Sequence, residues 1–486
     1  MEMIQIPEVS FGAIGPEITL VVTASLLLLL EVFGNDKSRD SLGYIALGGV
    51  IAAFGFAFNM TGEPWIAFSG LYSVDNFSTF FKLIFLLATG LTILISKKYS
   101  DSDKIDNGEY YALLLFATCG MLVMASGADL ITIFMGLELM SISLYVLAGF
   151  TRDRLVSNEA SMKYFILGSL STGLMLYGMA LVYGVTGSTT LYDIGLAVSA
   201  GGPNGSLLTV GVVLLLVGFA FKISAVPFHM WTPDVYQGAP APVTAFMSVG
   251  PKAAGFAALL RVMAEGFPAM KDDWWALIWI LAVATMTMGN VMALVQDNVK
   301  RMLAYSSIAH AGYLLVGLVA ASEMGVSAIL FYMLAYTFMN IGAFAIVAIV
   351  AKKDERRLGF ADYTGMGYTH PLLAVSLAIF LFSLAGLPPT AGFVGKFYIF
   401  MSALDGGYVW LAVIGVVNSV VSVFYYLRLT VVMYMKEPEP TAVPSAPLTF
   451  ATPVIVALVV SVIGTLWLGL LPGDYIAFAR SAFLVF

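Results

Sequence analysis

Apolar residues come in long runs along this chain, and polar ones are confined to the short stretches between them. An α-helix needs ~20 apolar residues to cross ~30 Å of hydrocarbon. Runs of that order lie near 16–33, 42–60, 74–95, 110–126, 129–150, 160–184, 206–226, 241–264, 274–295, 302–321, 324–351, 372–403, 407–434 and 451–471. About fourteen transmembrane helices are predicted. Two runs are irregular. The seventh flows into KISAVPFHMWTPDVYQGAPAP, interrupted by Pro227, Pro233, Pro240 and Pro242. The twelfth is too long for one straight span and contains SLAGLPPTAGFVGKF, with Gly386, Pro388, Pro389 and Gly392. Proline removes a backbone donor and clashes with the preceding turn, so both runs are expected to break. Broken helices in both halves of a membrane protein point to an inverted repeat around an ion path. The repeat is imperfect, because Lys222 precedes Pro227 by five positions while Lys396 follows Pro388 by eight.

The placement of charge adds an orientation. Alternate connections carry Lys37 and Arg39; Lys97, Lys98 and Lys104; Arg152, Arg154 and Lys163; Lys300 and Arg301; Lys352, Lys353, Arg356 and Arg357; and Arg428 and Lys436, sixteen cations in all. The opposite side has only Arg261, Lys271 and Arg480. By the positive-inside rule the sixteen are cytoplasmic and both termini are outside. Four of the 23 cations remain, Lys82, Lys222, Lys252 and Lys396, and all four fall within apolar segments. The polar connections are short. The longest are 96–109, 187–205 and the proline-rich EPEPTAVPSAP, none large enough for a catalytic domain, and a mildly amphipathic tail follows Pro472.

Composition fits this pattern, with 60% hydrophobic and 11% charged residues against roughly a quarter charged in a soluble domain. The fold class is therefore an all-α polytopic membrane protein. No basic patch supports nucleic-acid binding. The single cysteine, Cys119, excludes an intrachain disulfide, a cysteine-ligated zinc site and a cysteine-held iron–sulfur cluster. His229, His310 and His370 make no ligand spacing, so no metal or redox cofactor is expected in this chain. The N-terminus MEMIQIPEVSFG has no lysine or arginine, so the first helix is expected to stay in the mature protein.

Candidate chemistry lies where charge enters apolar sequence. Glu138, in LITIFMGLELMSISLYVL, is ~13 Å into its helix, too deep to reach the surface comfortably. Such residues usually face a protein interior or a hydrated cavity and mark ion paths; the alternative is a carboxyl kept neutral or capped by a nearby hydroxyl. Lys252 is equally central and Lys222 lies beside the proline break, either as proton carriers or as structural ion pairs. A glutamate and a lysine whose separation changes form a proton switch, since the carboxylate favours the charged amine and burial opposes it. Lys396 either joins the path or snorkels to the outer surface. Lys82 reads as a snorkelling or helix-packing lysine. His229 and His310 suit proton relays or simple hydrogen-bonded roles, and Asp234 either caps a half-helix or guards an access route. Glu159 and Lys163 form an i, i+4 pair of the surface type. Trp65, Trp231, Trp274 and Trp275 read as interfacial anchors.

Several stretches together, EASMKYFILGSLSTGLMLYGMALVYGVTGS, KISAVPFHMWTPDVYQGAPAPVTAFMSVGPKAAGF, DNVKRMLAYSSIAHAGY and LAGLPPTAGFVGKF, closely resemble the subunit N family of bacterial NADH:quinone oxidoreductase, respiratory complex I. The resemblance covers nearly the whole chain. It implies fourteen transmembrane helices in two inverted five-helix repeats with broken helices 7 and 12. The units would be 1–108, 109–265 (helices 4–8), 266–436 (helices 9–13) and 437–486. It also implies shared ancestry with multisubunit sodium/proton antiporters. Glu138 and Lys222 match the family's switch pair, Lys252 its central lysine, Lys396 the lysine of the second half-channel, and His229 and His310 polar residues linking them. The implied function is proton translocation coupled to quinone reduction elsewhere in the complex, with no redox centre in this chain. NADH, FMN, iron–sulfur clusters and quinone are expected in other subunits. The expected partners are antiporter-like and small helical membrane subunits and membrane lipid, in the bacterial cytoplasmic (inner) membrane with both termini periplasmic. The alternatives are a subunit of a multisubunit cation/proton antiporter and a non-pumping structural subunit.

Overall fold

A helix that is apolar on every side is stable only when it is surrounded, either by protein or by lipid, and both cases occur here. The computed structural model describes residues 10–34, 41–103, 107–201, 205–351, 355, 357–436 and 451–482. The side chains of 98–103 are outside that description. So are Lys37, Arg39, Lys104, Lys352, Lys353, Arg356 and the EPEPTAVPSAP segment, and of Lys98 only the backbone is described.

The first three helices are α1 (Gly15–Phe33), α2 (Leu42–Phe58) and α3 (Asn76–Asp103). Next come α4 (Gly108–Ser126), α5 (Leu130–Ala148), α6 (Leu155–Thr186) and a short α7 (Leu191–Ser199). The chain continues through α8 (Gly205–Lys222), α9 (Trp231–Gly238) and α10 (Ala241–Arg261). The second half holds α11 (Lys271–Leu294), α12 (Val299–Ala320), α13 (Glu323–Ala351), α14 (Pro371–Ala385) and α15 (Ala391–Asp405). It closes with α16 (Val409–Met435), α17 (Thr452–Leu470) and α18 (Gly473–Ser481). Every predicted apolar run falls on helix. Among the described residues, twelve helices meet the length and hydropathy of a membrane span; α2 is shorter, and the predicted run 372–403 is divided between α14 and α15. Two features had no sequence signal strong enough to be predicted. One is α7 within the supposed loop 187–205. The other is a small hairpin of β1 (Trp65–Ala67) and β2 (Tyr72–Val74), antiparallel with Trp65 opposite Val74.

The two fully enclosed helices are α10 and α12, with α13 largely enclosed beside them. They form the axis of the molecule. Around it α1, α2, α6, α16 and α17 turn apolar residues outward, as Val22, Leu29 and Val32 do on α1 while Leu20, Ala24 and Leu27 face inward. That outward surface suits hydrocarbon rather than water.

Both predicted breaks form, and at each one the freed backbone finds partners, as it must within a membrane. Between α8 and α9, which flank the cis Val226–Pro227 bond, Ala225 N donates to Ala220 O at 2.8 Å and Val226 N to Thr285 Oγ1 at 3.0 Å. Trp231 Nε1 donates to Phe221 O at 3.2 Å, and its ring stacks on Tyr164 at 4.4 Å. Trp231 and Trp274 are 3% and 2% exposed, so both brace the interior and neither is an interfacial anchor. Between α14 and α15, Gly386 takes a positive φ of 85° that only glycine adopts without cost. Its amide and that of Leu387 both return to Phe382 O at 3.0 Å. Inside α10, Pro251 strips Met247 O of its usual amide donor, and the Tyr236 hydroxyl of α9 donates to that carbonyl instead at 3.2 Å.

Helices α4 and α5 approach so closely that a Cβ on Gly136 would lie 2.7 Å from Gly120 O and 3.0 Å from Met124 N, both backbone atoms. Gly136→Ala is expected to force these helices apart and lower stability by ~1–3 kcal/mol, measured as a reduced thermal midpoint of the purified membrane complex.

Candidate functional site

The break after α8 sets the first group. Lys222, its last residue, is 4% exposed, and its ammonium donates to Ser141 Oγ on α5 at 2.7 Å with the Tyr145 ring 5.8 Å away. Glu138 precedes Ser141 by three positions and so shares that face of α5. Glu138 and Lys222 form no ion pair among the described residues, since the ammonium is bonded to Ser141 and Glu138 Oε1 has no partner. Among the described residues Glu138 Oε1 is buried without a hydrogen-bond partner, as is the Tyr145 hydroxyl. Glu138 and Lys222 thus lie on neighbouring helices, and the lysine is held by Ser141 rather than by the carboxylate.

Lys252, 3% exposed at the centre of α10, donates to Ser307 O at 2.8 Å and closely to Ser307 Oγ, with the Tyr236 ring 5.9 Å away. One turn along α12, His310 Nδ1 is tightly hydrogen-bonded to the Tyr332 hydroxyl and Nε2 to the Tyr426 hydroxyl at 3.1 Å. Tyr426 also bonds Ser306 at 2.5 Å. A further turn along lies Tyr313, whose ring is 4.8 Å from the Lys396 ammonium.

Lys396 is 3% exposed, so it does not snorkel. It reaches back into the break and donates to Leu384 O at 2.9 Å, Ala385 O at 3.0 Å and Ser419 Oγ at 3.0 Å. Those carbonyls lie in the last turn of α14, where no further turn of helix follows to use them.

Of the six predicted residues, the structure brings Lys252, His310 and Lys396 onto one seam along α12, and Glu138 and Lys222 into a group beside α5. His229 joins neither. It lies half-buried in the break with Nδ1 unpartnered and makes no direct hydrogen bond to Lys222 or Lys252 among the described residues. Ser141, Ser307, Tyr332 and Tyr426 were missed. A signal existed for some of them: Ser306, Ser307, His310 and Tyr313 repeat at helical spacing on α12. Among the described residues no group of histidine, cysteine, aspartate and glutamate is placed to hold a metal.

Other buried cations are held differently, each by a carboxylate. Lys82 is 1% exposed and lies 3.0 Å from Glu17 Oε1, so it is neither a snorkelling lysine nor a mere packing residue. Arg261 meets Asp75 at 2.8 Å and Glu265 at 2.7 Å. Burial alone would raise the Asp75 carboxyl, but Arg261 and the Ser78 amide hold it below the usual carboxylate range. At one end of the bundle, Lys300 meets Glu355 at 2.8 Å with both side chains fully buried, and Arg154 joins at 3.3 Å. Glu355 Oε1 accepts from the amide of Ala241, the first residue of α10, at 2.7 Å. Asp234 pairs with Arg301 at 2.6 Å and Lys163 at 2.9 Å, and Lys163 also keeps its predicted partner Glu159 at 2.7 Å.

This arrangement of enclosed, broken helices around buried lysines defines a class. Residues 127–422 match the family described as NADH:quinone oxidoreductase/Mrp antiporter, transmembrane. Within it, the chain belongs to the NADH-quinone oxidoreductase subunit N family. It is 55% identical over 475 residues to NADH-quinone oxidoreductase subunit N of Trichlorobacter lovleyi, covering 98% of this chain and 97% of that one. Among solved structures, a chain of respiratory complex I from Thermus thermophilus with bound aureothin is 36% identical, with a TM-score of 0.80 and coverage of 95% and 98%. A chain of the Mrp complex from Dietzia shares the fold, with a TM-score of 0.82 at 21% identity and coverage of 97% of each chain.

Removing one partner of a fully buried ion pair leaves the other uncompensated and costs ~3–5 kcal/mol. Glu355→Ala is accordingly expected to reduce the amount of assembled complex on native gels, and Lys300→Met/Glu355→Leu to recover part of the loss.

Proposed function

We propose that this chain is a proton-translocating membrane subunit of NADH:quinone oxidoreductase, carrying protons along Glu138, Lys222, His229, Lys252, His310 and Lys396. One observation carries the reading. Among the described residues, three lysines only 3–4% exposed donate hydrogen bonds to neutral hydroxyl and carbonyl oxygens alone, whereas Lys82, Lys300 and Arg261 each have a carboxylate. Neutral oxygens solvate an ammonium without cancelling its charge. Its hold on the proton then follows the surrounding field, so a change at a neighbouring site shifts it.

Charge arriving from a neighbouring subunit draws on Glu138 and releases the proton of Lys222 toward Lys252. From there Ser307, His310 and its two tyrosines lead to Lys396. The magnitudes are compatible: a change of ~2 units in a lysine's proton affinity is worth ~2.7 kcal/mol, and one charge crossing 100 mV costs ~2.3 kcal/mol. Because the sites interact, their titrations belong to the row as a whole.

Electron transfer takes place in other subunits, which bind NADH, FMN, iron–sulfur clusters and quinone. The neighbours are antiporter-like and small helical membrane subunits, in a bacterial cytoplasmic membrane with both termini outside. Helices α4–α10, leaving α7 aside, and α11–α16 form the two inverted repeats. In support, each set opens with a closely packed helix pair, α4 with α5 and α11 with α12, and has a broken fourth member.

In inside-out vesicles with assembled complex, Lys222→Ala is expected to abolish most lumen acidification per NADH oxidised. Normal acidification would instead support a structural subunit.

A further inference from the structure

The central row leaves unused a second buried group, at the end assigned to the outside. Glu17 lies in the first turn of α1, Lys82 about two turns into α3, and Tyr72 on β2 between them. Lys82 donates to the Tyr72 hydroxyl at 2.9 Å, and that hydroxyl is tightly bonded to Glu17 Oε1, which itself lies 3.0 Å from the Lys82 ammonium. All three residues are no more than 5% exposed.

This group differs from the other buried ion pairs in what it leaves over. Glu355 has both carboxylate oxygens occupied, one by the Ala241 amide and the other by Lys300 and Arg154. Glu17 has one oxygen engaged; its Oε2 is buried with no hydrogen-bond partner among the described residues, as are Ser126 Oγ beside Tyr72 and Thr79 Oγ1 one turn before Lys82. An unmatched carboxylate oxygen in such surroundings is satisfied by a proton or by water. Tyr72 is also placed at a boundary. Its neighbours Gly70, Ser73 and Asp75 line a cavity of about 740 Å³ together with Ala128, Asp193 and Glu265. Three carboxylates, Asp75, Asp193 and Glu265, line it against the one paired guanidinium of Arg261, so its lining is acidic.

We propose that Glu17, Tyr72 and Lys82 form a proton-release site serving the outer aqueous side, distinct from the central row. The Lys82 ammonium gives its proton to the Tyr72 hydroxyl as that hydroxyl passes its own to Glu17, leaving a neutral amine and a carboxylic acid. The acid then yields the proton to water in the acidic cavity, and the amine takes the next proton from within. Helix α3 lies against α10, which carries Lys252. The inference rests on the proton-translocating reading above.

Tyr72→Phe tests it directly, since this change removes the relay hydroxyl and keeps both members of the ion pair. In inside-out vesicles with assembly confirmed, the expected result is reduced acidification per NADH oxidised. Wild-type acidification in Tyr72→Phe overturns the proposal. If that variant does not assemble, Glu17→Gln/Lys82→Met replaces it, because removing both charges leaves no uncompensated ion. Reduced acidification in that variant supports a release site, and wild-type acidification shows a structural pair only and overturns it. Lys222→Ala measured alongside separates the two claims. Loss in Lys222→Ala with none in the outer variants rejects the release site alone, and no loss in any of them rejects the proton-translocating reading as well.

Discussion

An ammonium group taken into the middle of a membrane protein has to be met by oxygen, because the low-dielectric interior supplies nothing else to hold the charge. Much of this architecture follows from that requirement. A regular helix keeps its carbonyls for its own amides, so oxygen near the centre comes from side-chain hydroxyls or from places where the helix stops. The end of α14 supplies two carbonyls to Lys396. Ser141 and Ser307 supply hydroxyls to Lys222 and Lys252. Breaks are tolerable only where other helices shelter them, which accounts for an axis of enclosed helices inside a ring that faces hydrocarbon.

The choice of partner then divides the cations. Lys300 and Arg261 meet carboxylates whose oxygens are already engaged, and they read as fixed. Lys222, Lys252 and Lys396 meet neutral oxygens, and Lys82 meets a carboxylate with one oxygen left over. It is the oxygen beside a lysine, and not sequence composition, that distinguishes these settings.

This explains what could be read from the chain beforehand. The helical class, both breaks and the unusual status of Lys222, Lys252 and Lys396 were legible, because proline and charge inside apolar runs are local signals. Distant partners were not. Glu17 sits near the start of the chain beside Pro16 and looks like an ordinary first-turn acid; only folding brings it to Lys82 and Tyr72. Glu355 lies in a charged connection and reads as solvated, yet it is enclosed among Lys300, Arg154 and the start of α10. His229 could be placed in the break from sequence, but its lack of a direct bond to either lysine could not.

The Glu355 group has a mechanical consequence. Arg154 precedes α6, Lys300 belongs to α12 and Ala241 opens α10, so one carboxylate ties together elements from both halves of the chain. A knot of that kind opposes the rocking of one half against the other by which many carriers expose a site first to one side and then to the other. On the proton-translocating reading proposed above, the path then runs through a scaffold whose two halves are fastened together at that end.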